Sequence, residues 1–367
     1  MILKSNSLDK NILIRTDGDI DIGIGHIKRC IFLALNFKNQ GFTPIFLIRY
    51  GNKEAKLLIQ NNLFPCYFIP EYVDWFLEFE FIHKKTLCSF VGYLFDFSHS
   101  KTTFTEKIFP NYFRQWIDSP KCVIDGFMEE CLTGKFSLPI DLAVLPYIGY
   151  ENQKHMTNCH YLMGVNYFCL DPAFNKYLSV RGIVNKNVSN ILITSGGNDS
   201  KGLSLMAVKA INQLKDEKYN VTVVLGPMTS NKTKKMVELF FNKGRHKYNL
   251  VQGLDSLAEK IFFADLVISA SGLTKYECAA IGSPTLLISI NKEHAIFNRP
   301  FEEKGSSRHC GVITQLSTKD LSNEISILIK DHASRQRMSH NGIKLLDGKG
   351  IESISKSFLE IISLRGG

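Results

Sequence analysis

The chain has 367 residues, of which 44% are hydrophobic and 22% charged, with a formal net charge of +9. At roughly 100–200 residues per domain this predicts two globular domains, each with its own core, and the ordinary balance excludes a low-complexity or disordered chain. The positive excess favours an anionic partner, such as a nucleotide diphosphate, nucleic acid or an acidic membrane surface; a generally basic, solvated surface explains lysines spread this evenly as well.

Asn11–Asp17 is a short apolar run that reads as a buried strand. A glycine-bearing turn, Gly18 to Gly25, follows it, and His26–Asn39 then has apolar residues at helical spacing. Thr43–Ile48 is the next strand, which completes a βαβ unit and implies a parallel sheet. The region 51–169 is aromatic-rich, and Glu71–Phe81 is ambiguous between helix and strand. Gly92–Phe97, Lys121–Asp125 and Asp141–Leu145 read as successive parallel strands. Asp171–Val188, opening on Asp171-Pro172, reads as the linker. From Asn190 the alternation restarts, with strands at Ile191–Thr194, Tyr219–Leu225, Leu250-Val251, Ala264–Ser269 and Pro284–Ile290. Helices are expected at Leu203–Leu214, Lys232–Phe241, Leu257–Phe263 and Leu273–Ile281, and over most of the chain from Ala295. The expected domains are 1–175 and 176–367, both Rossmann-like α/β.

The nine cysteines form no CxxC pair, so neither a zinc ribbon nor a redox motif is indicated, and free thiols in a reducing cytoplasm are expected. Met1–Lys10 has no apolar core of signal-peptide type, and no apolar run is long enough to span a bilayer.

Three segments carry candidate chemistry. The first runs from Arg15 and Asp17 through Gly23 and Gly25 to His26 and Arg29. It lacks the GK[ST] of a Walker A loop and the third glycine of G-x-G-x-x-G. A histidine at a helix mouth can take a proton at neutral pH; capping or packing at the turn is the plainer reading. The second is Gly196-Gly197-Asn198-Asp199-Ser200, either a glycine turn that brings backbone close to a ligand or a tight turn capped by Asp199 or Ser200. The third is Ser269-Ala270-Ser271-Gly272-Leu273-Thr274-Lys275-Tyr276-Glu277, in which Glu277 lies one turn past Thr274. It can hold a diphosphate with Glu277 on a ribose, or it is a capping box of Thr274 and Glu277. Asp96 and Asp125 end expected strands, where α/β sheets face ligand. Glu293, His294 and Asn298 follow the last strong strand. His155 and His160 lack a third partner, so no metal is expected.

Together these motifs resemble the UDP-2,4-diacetamido-2,4,6-trideoxy-β-L-altropyranose hydrolases of pseudaminic acid synthesis and their spore-coat polysaccharide relatives. The N-terminal signature FRxDxxxxxGxGHxxR appears here as Arg15, Asp17, Gly23, Gly25, His26 and Arg29. Gly164 to Leu170 with Phe174, the turn Gly196 to Asp199, and Ser269 to Glu277 keep the same order. The resemblance implies two Rossmann-like domains facing a central cleft, as in the GT-B glycosyltransferases. It implies that UDP is held by Gly196, Gly197, Asn198, Ser271, Gly272, Leu273 and Thr274, with Glu277 on the ribose. His26 would be the base that activates water, with Asp17 orienting it or binding a sugar group. Arg15, Gly23, Gly25, Arg29, Asp96, His294 and Asn298 would contact substrate. The implied reaction is inverting hydrolysis of a UDP-activated di-N-acetylated 6-deoxy amino sugar. No cofactor or metal, no nucleic acid and no stable membrane insertion are implied, and a cytoplasmic monomer is expected. The chain departs from the pattern at Glu293-His294, where the family often has Asn-Gln, and at Asp125-Gly126, where some members have paired aspartates. A GT-B glycosyltransferase and a non-catalytic nucleotide-sugar-binding protein are the alternatives, and the aromatic stretch Tyr72–Phe81 is where an acceptor surface would lie.

Overall fold

The computed structural model describes residues 10–18, 23–49, 53–96, 109–124, 139–151, 159–270 and 272–365. Contacts divide the chain into a first unit, 1–169 with 349–367, and a second unit, 170–348.

In the first unit the strands are β1 (Asn11–Thr16), β2 (Thr43–Ile48), β3 (Cys66–Phe68), β4 (Gly92–Asp96), β5 (Lys121–Ile124), β6 (Leu142–Leu145) and β7 (His160–Met163). All described pairs are parallel, in the order β3-β2-β1-β4-β5-β6-β7. A parallel sheet covered on both faces needs apolar side chains pointing both ways, which is why its strands read as continuous apolar runs. Thus Ile12 and Ile14 enter one core and Leu13 the other. The helices α1 (Gly25–Asn39), α2 (Lys53–Asn61), α3 (Glu78–Thr86) and α4 (Phe109–Arg114) follow β1, β2, β3 and β4. α1 buries Ile27, Cys30, Leu33, Ala34 and Phe37 at helical spacing.

The second unit begins with a short helix, α5 (Asn175–Leu178), inside the segment expected to be a linker. Its strands are β8 (Asn190–Thr194), β9 (Asn220–Leu225), β10 (Lys247–Gln252), β11 (Leu266–Ala270), β12 (Thr285–Ser289) and β13 (Arg308–Val312), all parallel in the order β10-β9-β8-β11-β12-β13. Its helices are α6 (Leu203–Ile211), α7 (Asn231–Glu238), α8 (Ala258–Phe262), α9 (Thr274–Ile281), α10 (Lys292–Glu303), α11 (Thr318–Lys330) and α12 (His332–Leu345). Numbered within its own unit, the second sheet runs 3-2-1-4-5-6, the order of a doubly wound Rossmann sheet, and the first runs the same way with a seventh strand beyond the sixth. The crevice for ligand in that order lies where the strand order reverses, between the first and fourth strands.

Three elements differ from the sequence reading. Glu71–Phe81 becomes a 3-10 turn, Trp75–Leu77, running into α3, because Asp74 accepts the Phe76 amide and starts the helix. With α4 it covers the second face of the sheet, where Phe95 meets Phe113 and Trp116 edge-on at 5.1 and 5.2 Å. Strands β3, β7 and β13 are short, half-buried edge strands without a clear apolar run. Finally α13 (Gly350–Arg365), expected within 176–367, packs on α1 in the first unit. Its Ile351, Ile354, Phe358 and Ile362 fill the core that Ile27 and Phe37 line. Gly92 leaves room for it, since a Cβ there would stand 2.7 Å from Ile362 Cδ1.

The chain has two tryptophans, and both Trp75 and Trp116 belong to the first unit. Phe358→Ala removes a fully buried ring and is expected to destabilise that unit by about 3–4 kcal/mol. Tryptophan fluorescence during urea unfolding should report a lowered midpoint. An unchanged tryptophan transition would mean that α13 does not support the first core.

Candidate active site

The switch point of the first sheet lies between β1 and β4, where Thr16 is in register with Asp96. Asp96 closes β4 and is fully buried. An unpaired carboxylate there would be costly, and its partners come from the first turns of α1. His26 Nδ1 lies 2.6 Å from Asp96 Oδ1. Arg29, one turn further along α1, ion-pairs with both Asp96 oxygens and donates from Nη1 to Tyr147 Oη at 2.7 Å. Burial works to raise the Asp96 pKa, but Arg29 and His26 outweigh it and hold the carboxyl below its ordinary range. An ionised carboxylate only accepts, so the proton between the two groups sits on His26 Nδ1. In the neutral ring Nε2 then carries a free lone pair. The His26 side chain keeps 18% of its surface exposed, while Asp96 has none.

The α1 start is open. Its cap residue, Ile24, makes no side-chain cap hydrogen bond. Gly23 has φ +81°, a conformation that suits glycine, and Gly25 is the first helical residue.

The other residues of the first motif belong to a different cluster. Arg15 is fully buried; its Nε donates to Glu78 Oε2 at 2.9 Å and its Nη1 to Asp17 Oδ1 at 2.8 Å. Asp17 also accepts the Arg49 amide at 2.9 Å, which ties the end of β1 to the end of β2. Glu78 accepts from Arg49 Nε at 2.6 Å and Tyr112 Oη at 2.7 Å, and the Arg49 guanidinium lies 4.4 Å from the Trp75 ring centre. Three expectations are therefore corrected. The carboxylate on His26 is Asp96 rather than Asp17, because Asp17 is taken up by Arg15 and Arg49. Arg15 supports the strand ends from inside instead of presenting itself to substrate. Arg29 is likewise spent on Asp96 and Tyr147, so it positions these groups.

In the second unit the switch point lies between β8 and β11. A small hollow of about 40 Å³ opens there, lined by Ser195, Asn198, Lys201, Ala270 and Ile290 among others. It gathers the segments that follow β8, β11 and β12. Gly196 has φ +81°, and the Gly196-Gly197 turn rests on Gly226, where a Cβ would meet both turn carbonyls at 2.2 Å. Asp199 accepts Leu203 N at 2.8 Å and Ser204 N at 3.1 Å at the start of α6, although the cap position itself is Gly202 rather than Asp199 or Ser200. The Ser195 hydroxyl is buried without a partner.

α9 follows β11, whose last residue, Ala270, lines this hollow. Its cap residue, Leu273, makes no side-chain cap hydrogen bond, so the expected Thr274–Glu277 capping box does not form. By contrast α7, α10, α11 and α12 are capped by Ser230, Asn291, Ser317 and Asp331. Gly272 is exposed with open space where a Cβ would be, Leu273 and Glu277 are half-buried, and Thr274 is buried. The start of a helix next to a glycine turn can attract an anion. His294 lies in the first turn of α10 with its Nδ1 buried and unpartnered; burial, then the Lys275 charge, push its pKa down. Asn298 was expected to touch substrate, yet it is fully buried, accepting from Lys275 Nζ at 3.1 Å and donating to Ser289 Oγ at 2.9 Å.

Ser271, Asp125, Gly126 and His155 lie outside the described residues. Among the described residues no three His, Cys, Asp or Glu side chains gather as a metal site, and no helix is long and apolar enough to cross a membrane. A larger hollow of about 380 Å³ sits at the opposite ends of β8, β11 and β12. Its buried carboxylate, Asp265, is already occupied by Asn185, Ser189 and Asn190, so it offers less for ligand recognition than the smaller hollow. Sequence reasoning missed Arg49, Glu78, Tyr147 and Lys275. Arg49 follows a strand end and was open to the switch-point rule, whereas nothing local marks a glutamate destined for burial.

Residues 190–356 match the glycosyltransferase family 28 C-terminal domain. The chain is 27% identical over 343 residues to the spore coat polysaccharide biosynthesis protein SpsG of Bacillus subtilis, covering 92% of this chain and 94% of that protein. It is 24% identical over 289 residues to the uncharacterized protein MJ1062 of Methanocaldococcus jannaschii, covering 77% of this chain but 56% of that protein's length. Among solved structures it is similar to MurG of Acinetobacter baumannii, with TM-score 0.67, 13% identity, and 96% and 99% of the two chains covered. It is also similar to the UDP-GlcNAc 2-epimerase of Neisseria meningitidis bound to UDP-GlcNAc, with TM-score 0.59, 14% identity, and 95% and 100% covered. The fold is accordingly of the GT-B type, two Rossmann-like α/β domains.

Asp96→Asn leaves Arg29 buried without its carboxylate and is expected to cost about 3 kcal/mol at pH 7. Because the folded Asp96 pKa is depressed, this contribution is complete above about pH 4 and disappears as pH falls through the folded value. Urea unfolding at pH 7, 5 and 3 should show the same gap between wild type and variant at the first two and a narrower gap at the third, where the unfolded chain has begun to take up the proton. A gap that persists unchanged at pH 3 would mean that Asp96 ionisation does not stabilise the fold.

Proposed function

We propose that the protein hydrolyses a UDP-activated amino sugar, releasing UDP and the free sugar with inversion at the anomeric carbon. The observation that carries this reading is the His26 ring, whose Nδ1 is engaged by buried Asp96 while Nε2 is left to take a proton. His26 acts as general base on the attacking water. Asp96 fixes the ring tautomer and balances the imidazolium as it forms, and Arg29 and Tyr147 keep Asp96 in place. UDP is held in the second unit by the turns at Gly196 to Asn198 and Gly272 to Thr274, with Glu277 on the ribose. The uncapped amides of α9 stabilise the departing diphosphate. The likeness to SpsG along 92% of the chain supports a role in surface polysaccharide synthesis, and the epimerase neighbour, which binds UDP-GlcNAc, supports UDP as the carrier. The substrate we propose is the di-N-acetylated 6-deoxy amino sugar of the hydrolases that the opening motif resembles, used for nonulosonic acids of the pseudaminic type. We place the enzyme in the cytoplasm as a monomer.

The match of residues 190–356 to a glycosyltransferase domain favours a second reading, in which the sugar passes to an acceptor instead of water. One assay separates the two. Pure protein is incubated with UDP-linked diacetamido sugars without acceptor, and UDP and free sugar are measured. Release without acceptor is the expected result, whereas release only after an acceptor is added would establish transfer. His26→Ala should lower turnover by about 10²–10⁴-fold while UDP affinity stays at the wild-type level. A wild-type rate in that variant would remove His26 from the mechanism.

A further inference from the structure

Among the described residues, Lys275, on the first turn of α9, is a buried cation without a carboxylate partner. The residue is 6% exposed. Its Nζ donates to Phe297 O at 3.0 Å and Asn298 Oδ1 at 3.1 Å, and the Tyr276 and Phe301 rings lie 5.6 and 5.3 Å from it. Among the described residues no carboxylate ion-pairs with it, and burial alone drives its pKa down to about 7. The network continues from Asn298 through Ser289 to His309 Nε2, 2.8 Å from Ser289 Oγ.

The surrounding charges leave this cation unmatched. His294 on α10 and His309 on β13 both feel the Lys275 charge, and each has its pKa lowered, first by burial. Glu293, Arg299 and Glu302 of α10 act on those imidazoles. On the other helices packed against α9, Glu259 of α8 and Arg337, His340 and Lys344 of α12 are exposed, Lys260 is half-exposed, and Arg335 is spent on backbone carbonyls. Glu277, one turn along α9, is half-buried. A buried ammonium held by neutral oxygens costs stability, so hydrophobic packing does not account for it.

We propose that Lys275 is the charge-matching residue of the anion site at the start of α9: its ammonium is neutralised by the diphosphate of a bound nucleotide. The inference rests on the reading that the second unit binds UDP, and it gives a role to Lys275, which lies inside the third motif without one. Lys275 acts through the first turn of α9 and is therefore a positioning residue. Arrival of the diphosphate favours the protonated amine, so binding near neutral pH draws a proton from solvent, and affinity falls as pH rises above 7.

The test is calorimetry of UDP and of uridine with the full chain, from pH 7 to 9, in buffers of different ionisation enthalpy. Wild type should take up a fraction of a proton with UDP and none with uridine. Lys275→Met should bind UDP about tenfold more weakly at pH 7, lose the uptake and bind uridine unchanged. Lys275→Arg should restore affinity without the uptake. Its melting temperature should place Lys275→Met at or above wild type, since an unmatched charge has been removed. Equal UDP affinity and equal proton uptake in wild type and the Met variant would overturn the assignment of Lys275. So would a loss of stability in which UDP and uridine weaken alike. Failure of wild type to bind either ligand would overturn the nucleotide reading itself, and the inference with it.

Discussion

The first unit is organised around one buried carboxylate. Asp96 ends a central strand with no exposed surface, and it is ionised only because Arg29 and His26 meet it there. That requirement fixes the start of α1, since His26 and Arg29 must lie one turn apart on the face that looks at β4. It also fixes the tautomer of the imidazole, because an ionised oxygen at 2.6 Å admits a donor and nothing else. Strand order brings β4 beside β1 although 75 residues separate Asn11–Thr16 from Gly92–Asp96. The parallel crossover connections are therefore what deliver the carboxylate to the ring.

A second buried cluster stands next to the first and does different work. Arg15 and Arg49 carry two positive charges, Asp17 and Glu78 two negative ones, and Tyr112 and Trp75 close the set. The charges balance inside the protein, which is the condition for burying them. By accepting both Arg15 and the Arg49 amide, Asp17 holds the strand ends from which the turn toward His26 departs. An unbroken sequence motif thus splits into a part that stiffens the scaffold and a part that presents the imidazole.

Most of the fold was legible because parallel strands buried on both faces leave continuous apolar runs, and β1, β2, β4 and β5 were placed within a residue at either end. The edge strands β3, β7 and β13 were not, since an edge needs less apolar surface and leaves a weaker trace. The last helix was assigned to the wrong neighbour because its apolar face, carried by Ile354 and Phe358, specifies that it packs but not on what. The site was legible in its residue types and less so in their roles. Arg15, Asp17 and Arg29 look alike in sequence as polar residues of one motif, and only burial and partner distinguish them. Asp96 was visible as a strand-ending aspartate, while Glu78 and Lys275 depend on contacts far along the chain and leave no local mark.

The two units share one strand order and differ in what they place at the switch point. In the first, the position following β1 leads to a titratable ring set against an internal anion. In the second, the corresponding turns after β8 and β11 present glycines, hydroxyls and helix amides, and buried Lys275 on α9 ion-pairs with no carboxylate among the described residues. A group that moves a proton needs its counter-charge built in, because the counter-charge must be present before and after the proton arrives. A surface that binds an anion is better left unmatched, because any internal carboxylate would compete with the ligand for the same charge. The balanced Asp96 cluster and the unbalanced Lys275 are therefore what the proposed division of labour requires of one fold, acid–base chemistry in its first copy and diphosphate binding in its second.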